Sequence, residues 1–379
     1  MVTGADRGIV TAASYEAKAL GIPRGMPIFR LRKLFPQVIV MPGDYDSYVR
    51  YSGMMFDIVR RYADDVEEYS IDECFADLTG LDRTYIGGRT TRMSYREIAF
   101  QIKKEINDEL DLGVSVGVAP TKVLAKSASK WQKPNGFTMI HKNDAFEYLD
   151  KITIDKVWGI GGQTSAKLKK MGIQTAGDYA RRDQVWIREH FAKPYETIWH
   201  ELNGTSVNPV DPAPKLLYSS IQKTRTFHPA TNDTGFLFAQ LSRHTENACA
   251  KARRYGLLPK SASIFLKTRD FAYVRREFKL PFPTNSPETI LAEVRRELPA
   301  IHVPGVLYRA SGIVLRELIP KKALEKDLFG NVNTADKFEM IHEKIDQLEN
   351  KYGKRMVHLA SSHREEDGGK GTDANSIFP

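Results

Sequence analysis

At 379 residues the chain exceeds what one hydrophobic core usually serves, so two to four domains are expected, and 41% hydrophobic with 27% charged residues is an ordinary globular composition. No run of about 18 apolar residues could span a membrane, the N-terminus MVTGADRGIV has no signal-type apolar stretch, and two cysteines, Cys74 and Cys249, make neither a disulfide framework nor a zinc site, which fits a cytoplasmic protein. Net charge is +9, but residues Lys215–Lys322 hold 19 Lys and Arg against 8 Asp and Glu, a net of +11 that leaves −2 for the remainder; this reads as a polyanion-binding module or, failing that, a solvated basic surface.

In chain order, Gly8–Thr11 reads as a short buried strand and Ala12–Leu20 as a helix stopped by Gly21 and Pro23. Gln37–Met41 is strand-like, and Asp46–Tyr62 is helical by the spacing of Val49, Phe56, Val59 and Tyr62. Val66–Ile71 and Cys74–Leu78 are two short strands meeting at Asp72-Glu73. Tyr95–Leu110 is an amphipathic helix with Ile98, Ile102, Ile106 and Leu110 four apart. Val114–Val118 is a strand, and Thr121–Trp131 a further helix. From Asp144 to His200 the pattern is helical throughout. Within it Val157-Trp158-Gly159-Ile160-Gly161, followed by Ala166, Leu168 and Met171-Gly172-Ile173, reads as a helix–hairpin–helix, or else as a plain helical connector. Glycines such as Gly159 and Gly161 let backbone approach a phosphate, and a helix N-terminus holds it without reading sequence. Trp131 and Trp158 read as core anchors rather than base-stacking residues. Asn203–Lys215, rich in Pro and Gly, is a linker. Beyond it an α+β module has strands at Tyr218–Thr226, Ser261–Lys267, Ala272–Lys279 and Val306–Arg316, with helices near Asp233–Tyr255 and Pro287–Glu297. A helix near Ala335–Tyr352 precedes a polar, Gly-rich end of disordered composition. The nine histidines, His228 among them, show no ligand spacing.

The chemistry concentrates at Ser70-Ile71-Asp72-Glu73. Adjacent carboxylates on a regular strand face opposite ways, but at a hairpin turn they can converge. Converging carboxylates on a rigid sheet suit Mg²⁺, which takes oxygen ligands and keeps waters and substrate phosphates as the rest. A two-metal site would activate a 3′-hydroxyl and stabilise departing pyrophosphate. The tetrapeptide alone reads equally well as a solvated turn. Its surroundings add weight. Tyr15-Glu16-Ala17-Lys18 opens a helix, placing a phenol and an ammonium where a phosphate is welcome. Lys133-Pro134-Asn135-Gly136 is a turn that projects one lysine.

The segments RGIVTAASYEAKALGI, PGDYDSY, YSIDECFADLTG, SVGVAPTKVLAKSASKWQKPNG, VWGIGGQTSAKLKKMGI and SIQKTRTF, in this order and spacing, resemble the Y-family DNA polymerases, the translesion enzymes of the polymerase IV and polymerase V kind. The resemblance implies an α+β multidomain right hand: fingers at 1–42, a palm with a mixed sheet at 43–143, a helical thumb at 144–202, a linker at 203–214, an α+β little finger at 215–320 and a tail at 321–379. It implies Asp72 as a metal ligand and Glu73 as the acidic residue beside the primer end, with two Mg²⁺ ions as cofactors. Tyr15, Lys18 and Lys133 would hold the incoming dNTP. Lys18 stands where many relatives have Arg, and it supplies charge without a bidentate fork. In the little finger, Lys223, Arg225, Arg253, Arg254, Arg275 and Arg276 are the expected DNA contacts. The alternation of Lys223, Arg225 and Phe227 is read as cations on one strand face and core on the other. Leu328 and Phe329 keep the hydrophobic anchor of a sliding-clamp-binding peptide, with Glu325 and Lys326 replacing its usual polar and first apolar residues. The family also carries another metal-binding Asp and an aromatic residue that screens out ribonucleotides, on a strand and helix preceding the fingers. Neither has a counterpart upstream of Arg7, so the first catalytic strand is expected to be missing. The implied function is template-directed nucleotidyl transfer on primer–template DNA opposite damage. The alternatives are a damaged-DNA-binding remnant without catalysis and a cyclase-like palm enzyme, against which the helix–hairpin–helix and basic module argue.

Overall fold

The computed structural model describes residues 1–4, 8–81, 85–86, 89–90, 93–213, 218–323, 332–352 and 357–362. The chain divides into two units, Met1–Pro214 and Lys215–Pro379.

The first unit opens with β1 (Val2–Thr3), which lies between β2 (Ala12–Ala13, antiparallel) and β3 (Val40–Met41, parallel). Gly8–Thr11 makes only an isolated bridge, Ile9 to Pro27, so the expected strand starts later. The first helix, α1 (Tyr15–Ala19), also starts later than its apolar pattern suggests. Ser14 caps it, accepting a hydrogen bond from the Ala17 N–H at 3.3 Å. α2 (Ile28–Leu34) closes a small core of Val2, Val10, Ile28 and Leu31.

Next, α3 (Tyr45–Arg60) and α4 (Tyr95–Leu110) pack face to face, Met55, Phe56 and Val59 against Ile98, Ile102 and Ile106. Between them run the β4 (Val66–Ser70) and β5 (Glu73–Ala76) hairpin and the short pair β6 (Tyr85–Ile86) and β7 (Arg89–Thr90). The Ser94/Glu97 capping box fixes where α4 begins, and its apolar stripe falls at the predicted positions.

β8 (Val116–Val118) pairs in parallel with β9 (Phe137–Met139), and α5 (Lys122–Trp131) is the crossover between them. The helix lies unusually close to the ladder. A Cβ at Gly117 would stand 2.2 Å from the Ala125 carbonyl oxygen and 2.3 Å from the Ser129 nitrogen. Five helices follow: α6 (Ala145–Leu149), α7 (Gly162–Lys170), α8 (Ala176–Ala180), α9 (Gln184–His190) and α10 (Lys193–Leu202). Their core of Leu149, Ile154, Leu168, Tyr179 and Leu202 also takes Val123, Leu124 and Ala128 of α5. At this junction the buried carboxylate of Glu201 accepts from the N–H groups of Val123 (3.3 Å), Val207 (2.9 Å) and Asn208 (3.0 Å). It thereby ties α5, α10 and the following segment together, and its charge is met by donors, as burial requires.

The second unit consists of β10 (Ser220–Thr231), α11 (Thr234–Arg254), β11 (Leu257–Thr268), β12 (Tyr273–Lys279), α12 (Pro287–Glu297) and β13 (Tyr308–Pro320). The strands form one antiparallel sheet in the order β10-β13-β11-β12. Leu237, Leu241 and Cys249 of α11 and Ile290 and Val294 of α12 cover the sheet residues Ile221, Ala262, Ile264, Ile313 and Leu315.

The expected tail helix forms as α13 (Val332–Tyr352) and is docked on this unit. The Arg253 guanidinium donates to both carboxylate oxygens of Asp346, at 2.6 and 2.8 Å, and His342 Nε2 lies 2.8 Å from Glu288. Farther on, the Ser361 and Ser242 hydroxyls meet at 2.6 Å, and the Leu359 N–H donates to Glu246 at 3.2 Å. The polar end beyond residue 362 lies outside the described residues.

Candidate active site

The β4–β5 hairpin carries a register shift between Glu68 and Ser70, after which Ser70 pairs with Glu73. That irregularity leaves Asp72 in the turn and Glu73 on the first strand position. Ser70 Oγ donates to Asp72 Oδ1 at 2.8 Å. Glu73 forms an ion pair with Lys126 of α5, whose side chain is only 11% exposed. Asp72 and Glu73 both line an open cleft of about 1540 Å³, and Tyr15, Tyr48, Tyr51, Lys126 and Lys133 line it as well.

Tyr15 is the first residue of α1 and half exposed to the cleft. Lys18 departs from the expectation. α1 has five residues, so Lys18 belongs to its last turn rather than its N-terminus, and it is not among the residues lining the cleft. Its ammonium lies 4.4 Å from the centre of the Tyr15 ring. Lys133 stands exposed at the start of the turn after α5. In that turn Asn135 takes a left-handed conformation (φ 53°), and Asn135 Oδ1 accepts from Lys103 of α4. Burial, and then the neighbouring ammonium of Lys126 with a smaller push from Lys133, hold Lys130 below the ordinary lysine range. Three lysines at 126, 130 and 133 thus crowd positive charge beside the cleft, an arrangement relieved by a polyanion.

Sequence patterns named the carboxylates but gave Lys126 no role. The signal was available: Lys122 and Lys126 are four apart on one helix, so both reach the hairpin. Lys122 is 7% exposed and pairs with Glu67 at 2.5 Å, and Lys126 pairs with Glu73. Trp158 is an anchor as expected. Its ring packs on Tyr69 and Phe75, with centroids 5.2 and 5.3 Å apart, and its Nε1 donates to the Tyr69 hydroxyl at 3.1 Å. Trp131 packs on Tyr148 at 4.9 Å. Gly159 has φ +89°, and a Cβ there would be 2.7 Å from Ile198. Gly161 precedes α7 at its N-cap, with nothing within 4 Å of where a Cβ would be. The first glycine is dictated by backbone and packing, whereas the second leaves the helix end accessible.

In the second unit the register revises the reading of the cations. Lys223, Arg225 and Phe227 are two apart and share the face of Ile221, which packs on α11; Phe227 meets Phe236 of that helix at 5.1 Å. They do not separate into a basic and an apolar face. Lys223 is half-buried, and its pKa is lowered by burial and then by Arg254. Arg253 is also corrected. Its side chain is 5% exposed and committed to Asp346 and to the Asn285 carbonyl, so it anchors α13 rather than facing solvent. Arg254 is exposed on the last turn of α11. Arg276 turns to the helix side and pairs with Glu297 at 3.0 Å. Arg275 is opposite Phe265 on the other face, together with Lys267, Lys279 and Arg316. Leu328 and Phe329 lie outside the described residues.

Asp72 and Glu73 present two carboxylates at an open cleft whose rim is cationic, and this donor set fits a magnesium ion that completes its shell with phosphate oxygens and water. Among the described residues no group of three or more His, Cys, Asp and Glu gathers as a metal cluster. No described helix is long and apolar enough to cross a membrane.

Residues 1–130 match the impB/mucB/samB family, residues 142–173 the IMS family HHH motif, and residues 218–328 the impB/mucB/samB family C-terminal domain. The chain is 30% identical to DNA polymerase IV 1 of Bacillus subtilis over 375 residues, 98% of this chain and 88% of that one. It is also 30% identical to protein SamB of Salmonella typhimurium, over 95% of this chain and 86% of that one. Among solved structures it resembles a Y-family DNA polymerase chimera of Dbh and Dpo4, with TM-score 0.68, 25% identity, and 84% and 92% of the two chains covered.

Proposed function

The chain belongs to the impB/mucB/samB family of Y-family DNA polymerases, which are DNA-directed DNA polymerases, and from that membership we propose that it adds dNTPs to a primer 3′-hydroxyl opposite damaged template. The observation that carries this reading is that Asp72 and Glu73 line one cleft with Lys126 and Lys133, Lys126 being paired with Glu73. Asp72 and Glu73 hold the catalytic metal, proposed as two Mg²⁺ ions. When bound, the metal makes the 3′-hydroxyl a better nucleophile and neutralises the departing pyrophosphate. Lys133 and the Tyr15 hydroxyl hold the triphosphate, Lys133 as a cation and Tyr15 as a hydrogen-bond donor. Lys126, which lines the same cleft and pairs with Glu73, would balance phosphate charge when Glu73 holds metal. Lys18 supports the Tyr15 ring. Extension of a primer by the purified chain, on an undamaged template and opposite an abasic site and lost in EDTA, would support this reading. DNA binding without any extension would favour a binding-only protein instead.

Two further parts hold primer–template DNA. Gly161 offers an accessible helix N-terminus for a backbone phosphate, and Gly159 shapes that turn. In the second unit the DNA-facing surface is the sheet face opposite α11 and α12, with Lys267, Arg275, Lys279 and Arg316. The log of the binding constant should fall linearly with log salt, by about 0.9 for each phosphate neutralised. Reversing Lys267, Arg275 and Lys279 together to Glu should flatten that slope by about 2 to 3. The helix-side triple Lys223, Arg225 and Arg254 should change it less. Fluorescence anisotropy over a salt series decides between the faces, and the opposite ranking would move the DNA to the helix side. The segment around Leu328 and Phe329 is the proposed sliding-clamp peptide.

A further inference from the structure

The lysine proposed to grip the triphosphate, Lys133, sits at one end of a four-residue turn. What fixes the other end is plain. The Val116 N–H donates to the Gly136 carbonyl at 3.0 Å, and the Gly136 N–H donates to Ser115 Oγ at 3.3 Å. A Cβ at Gly136 would be 2.0 Å from the Gln132 carbonyl oxygen, so the turn also folds tightly onto the end of α5. These contacts hold Gly136. They leave the peptide from Lys133 to Asn135 to be set by something else.

That something reaches in from α4. Lys103 donates from Nζ to the Val114 carbonyl at 2.7 Å and to Asn135 Oδ1. Among the described residues it is the side chain hydrogen-bonded to the Asn135 amide. Gly113 lies beneath, where a Cβ would come within 3.5 Å of Asn135 Cγ. Lys103 is partly buried. A cation at such a site is costly unless its donors are used, and here two of three are.

We propose that Lys103 is a positioning residue for nucleotide binding, acting through Asn135 to hold Lys133 toward the triphosphate. This rests on the reading of Lys133 given above. Asn135 sits in the left-handed region, where asparagine is tolerated better than most residues (φ 53°). Its carbonyl oxygen is then free to act as the handle that Lys103 grasps. The backbone bonds of Gly136 and the β8–β9 ladder do not involve Lys103, so its loss should loosen an aim rather than unfold a unit.

Single-nucleotide insertion kinetics test this on the full chain. Lys133→Ala should raise the KM for dNTP. Lys103→Met should raise that KM about tenfold, as loss of a hydrogen bond to a charged group would, with kcat within about threefold and DNA affinity unchanged. The double variant should be no worse than Lys133→Ala alone, because the two residues act in series. Lys103→Arg should recover most of the loss. Asn135→Gly, which keeps the backbone conformation and leaves α4 intact, should reproduce the Lys103→Met shift and guards against misfolding of that variant. A wild-type KM in Lys103→Met or Asn135→Gly alongside a raised KM in Lys133→Ala overturns the positioning role, and so do additive effects in the double variant. An unchanged KM in Lys133→Ala instead removes the triphosphate role of Lys133, and this inference falls with it.

Discussion

Asp72→Ala and Glu73→Ala should each lower primer extension about 10³-fold or more, the equivalent of losing several kcal/mol of transition-state stabilisation. The dissociation constant for primer–template DNA should stay within about twofold, because long-range attraction comes from cations elsewhere on the chain. Asp72 accepts one hydrogen bond, from Ser70 two residues away, and Glu73 is 35% exposed in its ion pair with Lys126. Neither holds a core together, so stability should not fall with activity. Asp72→Asn keeps the shape and the Ser70 contact but not the charge, and should be as inactive as the alanine variant. Mn²⁺ binding to the isolated chain gives a readout independent of turnover: each substitution should weaken it. Single-turnover extension resolved on gels is the deciding measurement. Near-wild-type extension by either alanine variant removes that residue from the site.

A second large effect concerns folding. Gly117→Ala should destabilise the first unit by about 3 kcal/mol or more, at or beyond the upper end of ordinary overpacking. The added methyl would meet backbone atoms of α5, Ala125 oxygen and Ser129 nitrogen, neither of which can rotate aside as a side chain would. α5 must lift from β8, and it carries Lys126, Lys130 and the approach to Lys133. At roughly 2–4 °C per kcal/mol for a unit of this size, the melting temperature should drop about 6–12 °C. Gly161→Ala is the control, since nothing lies within 4 Å of its added methyl and its φ is −79°. Calorimetry of both variants checks the contrast. Equal melting temperatures would mean that the helix can shift without cost.

Much of this was legible from residue patterns, for identifiable reasons. α4 is read correctly end to end because an apolar residue every fourth position coincides with a capping box at Ser94 and Glu97. The carboxylate turn is legible because Asp72-Glu73 interrupts two apolar-ended strands. α1 is misjudged because a single serine cap moves its start to Tyr15, and a shorter helix carries Lys18 out of the first turn. Lys223 and Arg225 are misjudged for a different reason. Alternation along one strand shows which residues share a face but not which face the helices will cover. Only the register with β13, and the contact of Ile221 with α11, decide that. Arg253 could not be placed from sequence at all, since its partner, Asp346, is 93 residues away.

The docking of α13 and residues 357–362 bears on how these polymerases could be recombined. The last strand of the sheet ends at Pro320, an inviting place to cut when exchanging modules between relatives. A graft cut there would import α11 and α12 without the clasp that Asp346, His342 and Ser361 place over Arg253, Glu288 and Ser242. The transplanted guanidinium of Arg253, 5% exposed in the intact chain, would lose the carboxylate that it donates to. An interchangeable cassette therefore runs at least to Ser362, and a chimera that includes it keeps its own latch.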